Sequence, residues 1–188
     1  MADNWEITLR SVEPKDLTTQ YVEWLNDPDV NRFLETRFAP QSRHTITEFW
    51  RQQQECKDSF WFAICLEKKG THIGNIKLGS INWIHRRAEV SLFLGEKEFW
   101  GKGIGLKAVN AICGFAFNSC NLIKVSAGAY SENHASIRLF KKAGFSVEGV
   151  YRKEMMLDGR RVDAIRFGLL KEEWERNSSL YNSTDISR

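Results

Sequence analysis

The sequence predicts an α/β (α+β) fold, one mixed sheet with helices on both faces. Three observations predict it. The run FWFAICL over 60–66 is apolar at successive positions, as a strand covered on both sides must be. From Gly103 the apolar residues Leu106, Val109, Ile112, Cys113, Ala116 and Phe117 switch to one helical face. Late in the chain, Asp158-Gly159 stands between two strand-like runs, 147–156 and 161–170, and signals a hairpin.

The elements follow in order. Trp5 to Val12 reads as a first strand, broken by Glu13-Pro14-Lys15-Asp16. Asp16 is read as the cap of a helix running to Leu25. Asp27-Pro28 marks a boundary, because the residue before proline avoids helix. Helical stretches are expected over 30–34 and 45–56. After the strand 60–66, Lys68-Lys69-Gly70 turns the chain into strands over 72–83 and 88–94. A loop, 95–99, leads to the helix beginning at Gly103. A strand over 122–129 and a short helix over 133–143, stopped by Gly144, precede the hairpin. The domain is placed over 1–174, with a polar, loosely held tail over 175–188.

Composition narrows the function. The chain has 188 residues, 42% apolar and 27% charged, with a formal net charge of +3. That charge is too mild, and its lysines and arginines too scattered, to indicate nucleic acid. No apolar run approaches the ~18 residues of a membrane span, and the N-terminus lacks an apolar signal core. The chain is therefore read as cytoplasmic, without membrane or nucleic-acid partners. Cys56, Cys65, Cys113 and Cys120 match no metal spacing and sit in or beside apolar runs, so they are read as reduced. His44, His72 and His134 have no companion cluster, and no metal is expected.

The stretch GEKEFWGKGIGLKAV, 95–109, has the look of a phosphate loop: strand before, helix after, glycines between. A P-loop fails, because the spacing before Gly101-Lys102 is one residue too long and no hydroxyl follows. A dinucleotide fingerprint fails, because Gly101, Gly103 and Gly105 give G-x-G-x-G. Alternating glycines still expose backbone N–H groups, and the helix start adds its own. The loop can hold a pyrophosphate without magnesium; it can equally be a glycine-rich turn with no ligand.

Four segments in this order sharpen the reading: HRRAEVSLFLGEKEFWGKGIGLKAV (85–109), FAFNSCNLIKVSA (115–127), SENHASIRLFKKAGFSVEGVYRK (131–153) and DGRRVDAIRFGLLKEEW (158–174). Together they resemble the GCN5-related N-acetyltransferase (GNAT) superfamily, in the branch with ribosomal-protein N-terminal, spermidine and amino-sugar acetyltransferases. The resemblance implies the GNAT fold: a mixed, mostly antiparallel six- to seven-stranded sheet with a splayed central strand pair. It implies acetyl-CoA as cosubstrate and no metal. Backbone groups at Leu92, Phe93 and Leu94 would pair with the pantetheine arm, and the family motif falls on Trp100, Gly101, Lys102, Gly103, Ile104 and Gly105. Trp100 replaces the usual Gln or Arg. Asn133 matches the family's CoA-side asparagine, and Lys102 and Lys142 are phosphate candidates, or simply solvated lysines. The family's tyrosine, a cofactor-side proton donor, falls at Phe140.

The expected reaction is direct attack of a primary amine on the thioester, which requires a neutral amine. Glu89 is the candidate base, with Ser136 and Tyr130 as candidate hydroxyl acids in place of the missing tyrosine. For the acceptor, the resemblance of YVEWLNDPDVNRFLETRF (21–38) points to a small molecule such as a nucleotide-linked amino sugar. Trp24, Arg37, Trp83 and His85 are the candidate contacts; each has an ordinary alternative in core packing or solvation. A protein N-alpha-acetyltransferase, a spermidine acetyltransferase and a non-catalytic acyl-CoA-binding module stand as alternatives. A homodimer is implied only as a habit of the family.

Overall fold

The computed structural model describes residues 5–67 and 70–177. Lys68, Lys69 and the tail from 178 onward, on which part of the predicted turn and most of the predicted tail fall, lie outside the described residues. The chain forms β1 (Ile7–Ser11), α1 (Thr19–Asn26), α2 (Pro28–Asn31), α3 (Arg43–Glu55), β2 (Ser59–Leu66), β3 (Thr71–Asn82), β4 (Arg87–Leu94), α4 (Ile104–Gly114), β5 (Lys124–Tyr130), α5 (His134–Lys142), β6 (Ser146–Leu157), β7 (Arg160–Leu170) and α6 (Lys171–Asn177). Short 3₁₀ turns at Pro14–Asp16, Glu35–Phe38 and Lys97–Phe99 link them.

The seven strands form one sheet in the order β1-β2-β3-β4-β5-β7-β6. All neighbours are antiparallel except β4 and β5. That parallel pair needs a crossover, and α4 supplies it.

Helices cover both faces. On one, Ile76, Leu78, Val90, Val125 and Phe167 pack with Ile104, Ala108, Ile112 and Phe117. On the other, Tyr21, Trp24, Leu25, Val30 and Ile46 pack over Ala63 and Cys65. This accounts for the run over 60–66: Phe62, Ile64 and Leu66 enter the first layer, while Ala63 and Cys65 enter the second. Truncating a ring such as Phe117 in the first layer would cost about 3–5 kcal/mol.

Local chemistry corrects several boundaries. Asp16 does not cap the helix running to Leu25: it is 4% exposed, and its carboxylate takes both Arg10 Nη atoms at 2.6 and 2.7 Å and the Glu13 N–H at 2.8 Å. Thr18 caps α1 instead, its side chain accepting from the Tyr21 N–H. The expected helix over 30–34 is one turn, Pro28–Asn31, capped by Asp27 with proline at its start. Ser42 starts α3 two residues earlier than expected, with a reciprocal Ser42–Thr45 cap.

Candidate active site

Pairing between β4 and β5 runs from Arg87↔Lys124 to Val90↔Ala127 and then stops. Beyond it, Gly128, Ala129 and Tyr130 pair only with β7, and Ser91–Leu94 pair only with β3. The two parallel strands therefore splay, leaving about 13 Å of the β4 edge open over four residues.

Backbone direction alternates along a strand, which decides what the gap receives. The Gly95 N–H donates to Ile73 O at 2.9 Å, and a Cβ on Gly74 would lie 2.4 Å from Phe93 O. Phe93 thus turns its peptide groups to β3, and Leu92 and Leu94 turn theirs to the gap. Of the three strand residues expected along the pantetheine arm, Phe93 is excluded from that role by this alternation. Its ring instead packs near Tyr21 on the far face.

The loop after β4 is a cradle. Gly101 and Gly103 have φ of +74° and +80°, and a Cβ on either would meet nothing within 4 Å. Gly103 is the N-cap of α4 without a side chain of its own to satisfy the helix N–H groups. Those donors, and the dipole behind them, face open space. Gly105 lies where α4, α5 and β4 meet: a Cβ on it would stand 3.5 Å from the Leu139 side chain and 3.7 Å from that of Leu92. Trp100 closes the turn, its indole N–H donating to Leu94 O at 2.9 Å. The Lys102 ammonium rests 5.3 Å over Trp5 and 5.5 Å over Phe99.

Helices from the opposite layer brace this loop. Trp24 lies so close to Gly95 that a Cβ there would fall 2.0 Å from its indole. Lys97 binds Asp27 and Asp29 at 2.8 and 2.6 Å, and Gln20 bonds Glu96. Beneath Trp24 sits His72, stacked with Tyr21, its Nε2 3.1 Å from Asn75 Oδ1. Burial pushes the His72 imidazole below its usual range, against the opposing pull of Asp16 4.0 Å away.

The face of the splayed strands away from α4 carries charged and polar groups. There Glu89, Ser126 and Gly128 come together, and Glu89 Oε1 lies 3.2 Å from Arg166 Nη1 on β7. Arg166 in turn lies over the Tyr151 ring at 5.3 Å. Glu89 also walls a cleft of about 330 Å³ with Ser80, Ile81, Asn82, Arg87, Ala88 and Ser126. The cleft opens where the β3–β4 register breaks between Gly79 and Asn82. At the splayed end of β5, the Tyr130 hydroxyl donates to Glu35 Oε1 at 2.5 Å and accepts from Arg37 Nη2 at 2.9 Å. Burial first, then Glu35, raises its pKa.

The remaining expected residues fall in different places. Asn133 caps α5 by accepting from the Ser136 N–H at 3.0 Å, so both stand in the first turn of that helix. Lys142 is in its last turn, about 13 Å further along the axis and away from that first turn. Phe140 is 2% exposed and packs against Phe145 and Phe167, a core ring rather than a cofactor contact. Trp24 is 7% exposed, buried by α1 packing and unavailable for stacking an acceptor. Trp83 is half exposed, its indole held by Asp58 at 2.8 Å, and His85 lies in the same turn. That turn closes β3–β4 at the end remote from the cradle, so both are set apart from the gap by the paired half of β4, Arg87–Val90. Arg37 directs three of its five N–H donors within the chain, to Leu34 O, Tyr130 and Met156 O. The sequence reading missed Glu35, Ser126 and Arg166; they lie far along the chain from their partners and carry no local signal.

Among the described residues no group of three or more His, Cys, Asp or Glu could hold a metal ion. Among them, no helix is long and apolar enough to cross a membrane.

A family model for the acetyltransferase (GNAT) domain matches residues 6–146. YdaF of Bacillus subtilis, named provisionally as a ribosomal N-acetyltransferase, is 30% identical over 178 residues, covering 92% of this chain and 95% of its own. A spermidine N(1)-acetyltransferase of Vibrio cholerae is 27% identical over 178 residues, covering 93% and 99%. The crystal structure of spermidine N-acetyltransferase from Vibrio cholerae in complex with CoA and spermine matches with a TM-score of 0.81 at 26% identity, covering 90% of this chain and 98% of that one.

Proposed function

The chain belongs to the acetyltransferase (GNAT) family and is an acetyl-CoA-dependent N-acetyltransferase; from that premise we propose that its acceptor is a primary amine on a small molecule, reached from the Glu89 face of the splayed strands. The observation that carries this is the gap itself: the pairing of β4 with β5 ends at Val90↔Ala127, with an open glycine cradle past the end of β4 and the Glu89 carboxylate one residue before the last pair.

The residues fit acetyl-CoA. The Leu92 peptide groups and the Leu94 N–H face the gap and would hold the pantetheine arm as a sheet edge holds an added strand. The N–H groups from Gly101 to Gly105 would hold the pyrophosphate. The bound cosubstrate supplies an acyl group activated as a thioester. Glu89 would take the amine's proton, and Arg166, 3.2 Å away, orients that carboxylate. The Ser136 hydroxyl, in the first turn of α5, is the donor assigned to the leaving thiolate. Tyr130 is not assigned that task, because its proton is already given to Glu35.

For the acceptor we read first a nucleotide-linked amino sugar. The support is the segment over 21–38 and the charge of the mouth. Glu89, Asp158 and Glu132 are each paired with an arginine, Arg166, Arg32 and Arg160, which lowers the negative charge offered to a polycation, while Glu35 meets the Tyr130 hydroxyl. A second reading, spermidine, rests on the relatives: the Vibrio cholerae enzyme acts on it, and none of the relatives above is an amino-sugar enzyme.

Thiol release from acetyl-CoA, measured with nucleotide-linked amino sugars, spermidine and ribosomal N-terminal peptides, decides among these. Turnover on an amino sugar is the expected result. Turnover confined to spermidine or to peptides overturns the first acceptor reading. Tight CoA binding with no turnover on any amine would make the chain a binding module.

A further inference from the structure

The segment after α2 crosses the splayed end of the sheet as a strap. Its 3₁₀ turn, Glu35–Phe38, is tied by side chains to strands far away in sequence. The Arg37 guanidinium donates to Leu34 O at 2.9 Å, to the Tyr130 hydroxyl at 2.9 Å and to Met156 O at 2.6 Å. It also lies 4.2 Å over the Phe38 ring and 5.0 Å over the Tyr130 ring. Arg32 makes a second tie, to Asp158 at the tip of the β6–β7 hairpin, at 2.8 Å. Phe33 packs against Tyr130, whose ring shares a small cluster with Leu157 and Val162.

The planar fork of arginine suits this role, since one guanidinium meets three oxygens on three segments at once. Glu35 also accepts from the Tyr130 hydroxyl and Leu34 packs on the α1–α3 layer, but none of Glu35–Phe38 is fully buried. The Thr36 hydroxyl oxygen is buried yet has no hydrogen-bond partner among the described residues, which further weakens the closed form. A strap held by side-chain ties rather than by fully buried residues is one that opens locally.

We propose that Arg37 is a positioning residue that latches the strap 32–38 over the acceptor side and fixes the Tyr130 hydroxyl there, so that acceptor binding depends on it and acetyl-CoA binding does not. This rests on the acceptor entering from the Glu89 face, as read above. The cosubstrate cradle lies in the loop before α4, to which Arg37 makes no contact. Three of the five N–H donors of Arg37 go to the protein, on the strap, β5 and β6, which fixes its plane there.

Two measurements on Arg37→Met test it. Hydrogen exchange needs no acceptor: protection should fall over 32–38 and at the end of β5, with the core strands unchanged. No local change, or a loss spread over the whole sheet, overturns the latch. In kinetics, acceptor KM should rise about tenfold or more, as for loss of a charge-assisted hydrogen bond, with acetyl-CoA Kd unchanged. Equal rises in both overturn the positioning role. Combined with Tyr130→Phe, the effect on acceptor KM should be less than additive; full additivity assigns Arg37 to direct acceptor contact. Arg37→Lys should recover part of the loss, lacking the fork. Wild-type protein inactive on every amine would sink the acceptor reading, while hydrogen exchange would still decide the latch.

Discussion

The Trp100 indole N–H donates to Leu94 O, and this carbonyl is one that β4 turns toward the gap. A residue in the position usually held by Gln or Arg thus spends its donor on the strand edge. It fixes the turn from β4 into the cradle and leaves the Leu92 groups and the Leu94 N–H as the open part of that edge.

Trp100→Phe keeps an aromatic ring and deletes the donor. The lost hydrogen bond is worth about 1 kcal/mol, so CoA affinity should fall about fivefold by calorimetry. Acceptor KM should not move. An unchanged CoA affinity would mean that the cradle holds its shape without this bond.

Gly103 stands at φ +80° as the N-cap of α4. Alanine there would strain the backbone by about 1 kcal/mol, seen as a lower thermal midpoint. Its Cβ would project into the open space where a pyrophosphate must approach, so CoA affinity should fall by more than the stability loss alone explains. A variant that loses stability but binds CoA normally would remove Gly103 from the cradle.

His72 predicts a pH dependence of stability. Burial lowers its folded pKa, with Asp16, Asn75, Arg10, Tyr21 and Trp24 around it. Below about pH 6.5 the unfolded chain binds a proton that the folded chain refuses. Stability should therefore be flat above neutrality and fall as pH drops through 6.5, by at most about 1.4 kcal/mol per pH unit. Urea midpoints at several pH values would show this, and His72→Gln should flatten the slope in that window. Asp16, whose burial is outweighed by the Arg10 and Glu13 hydrogen bonds, is held below the usual carboxylate range and acts only in more acidic solution.

What the sequence could disclose divides along physical lines. The cradle was legible because glycine spacing is a local property, and the double coverage of β2 because seven successive apolar residues admit few other readings. The strap was not legible: a helix of four residues and a 3₁₀ turn show no period. Arg37 and Tyr130 are 93 residues apart, and Glu89 and Arg166 are 77 apart, so neither pair leaves a mark on local pattern. Trp24 was misjudged because an aromatic reads alike in a core and at a ligand. Its burial and its contact with Gly95 tell them apart.

Glu89 is about half exposed and its partner Arg166 about a third, so their ion pair adds little to stability. Glu89→Gln should leave the thermal midpoint nearly unchanged. If the carboxylate takes the amine's proton, kcat should fall about 10²- to 10⁴-fold at neutral pH, with acetyl-CoA KM unaffected. Activity close to wild type would hand the proton to a water chain.

Phe140 occupies the position where the family carries its tyrosine, and the fold answers whether tyrosine would work there. The ring is 2% exposed, with Phe145 and Phe167 centroids at 5.3 and 5.6 Å. A hydroxyl added to that ring would enter a packed apolar site with no partner at hand. Phe140→Tyr should therefore lower stability by about 1–3 kcal/mol, the cost of an unsatisfied buried hydroxyl, and should not raise kcat. Thermal denaturation and the thiol-release rate check both halves. A faster enzyme of undiminished stability would mean that the ring edge reaches the gap, and that Ser136 is not the donor to the thiolate.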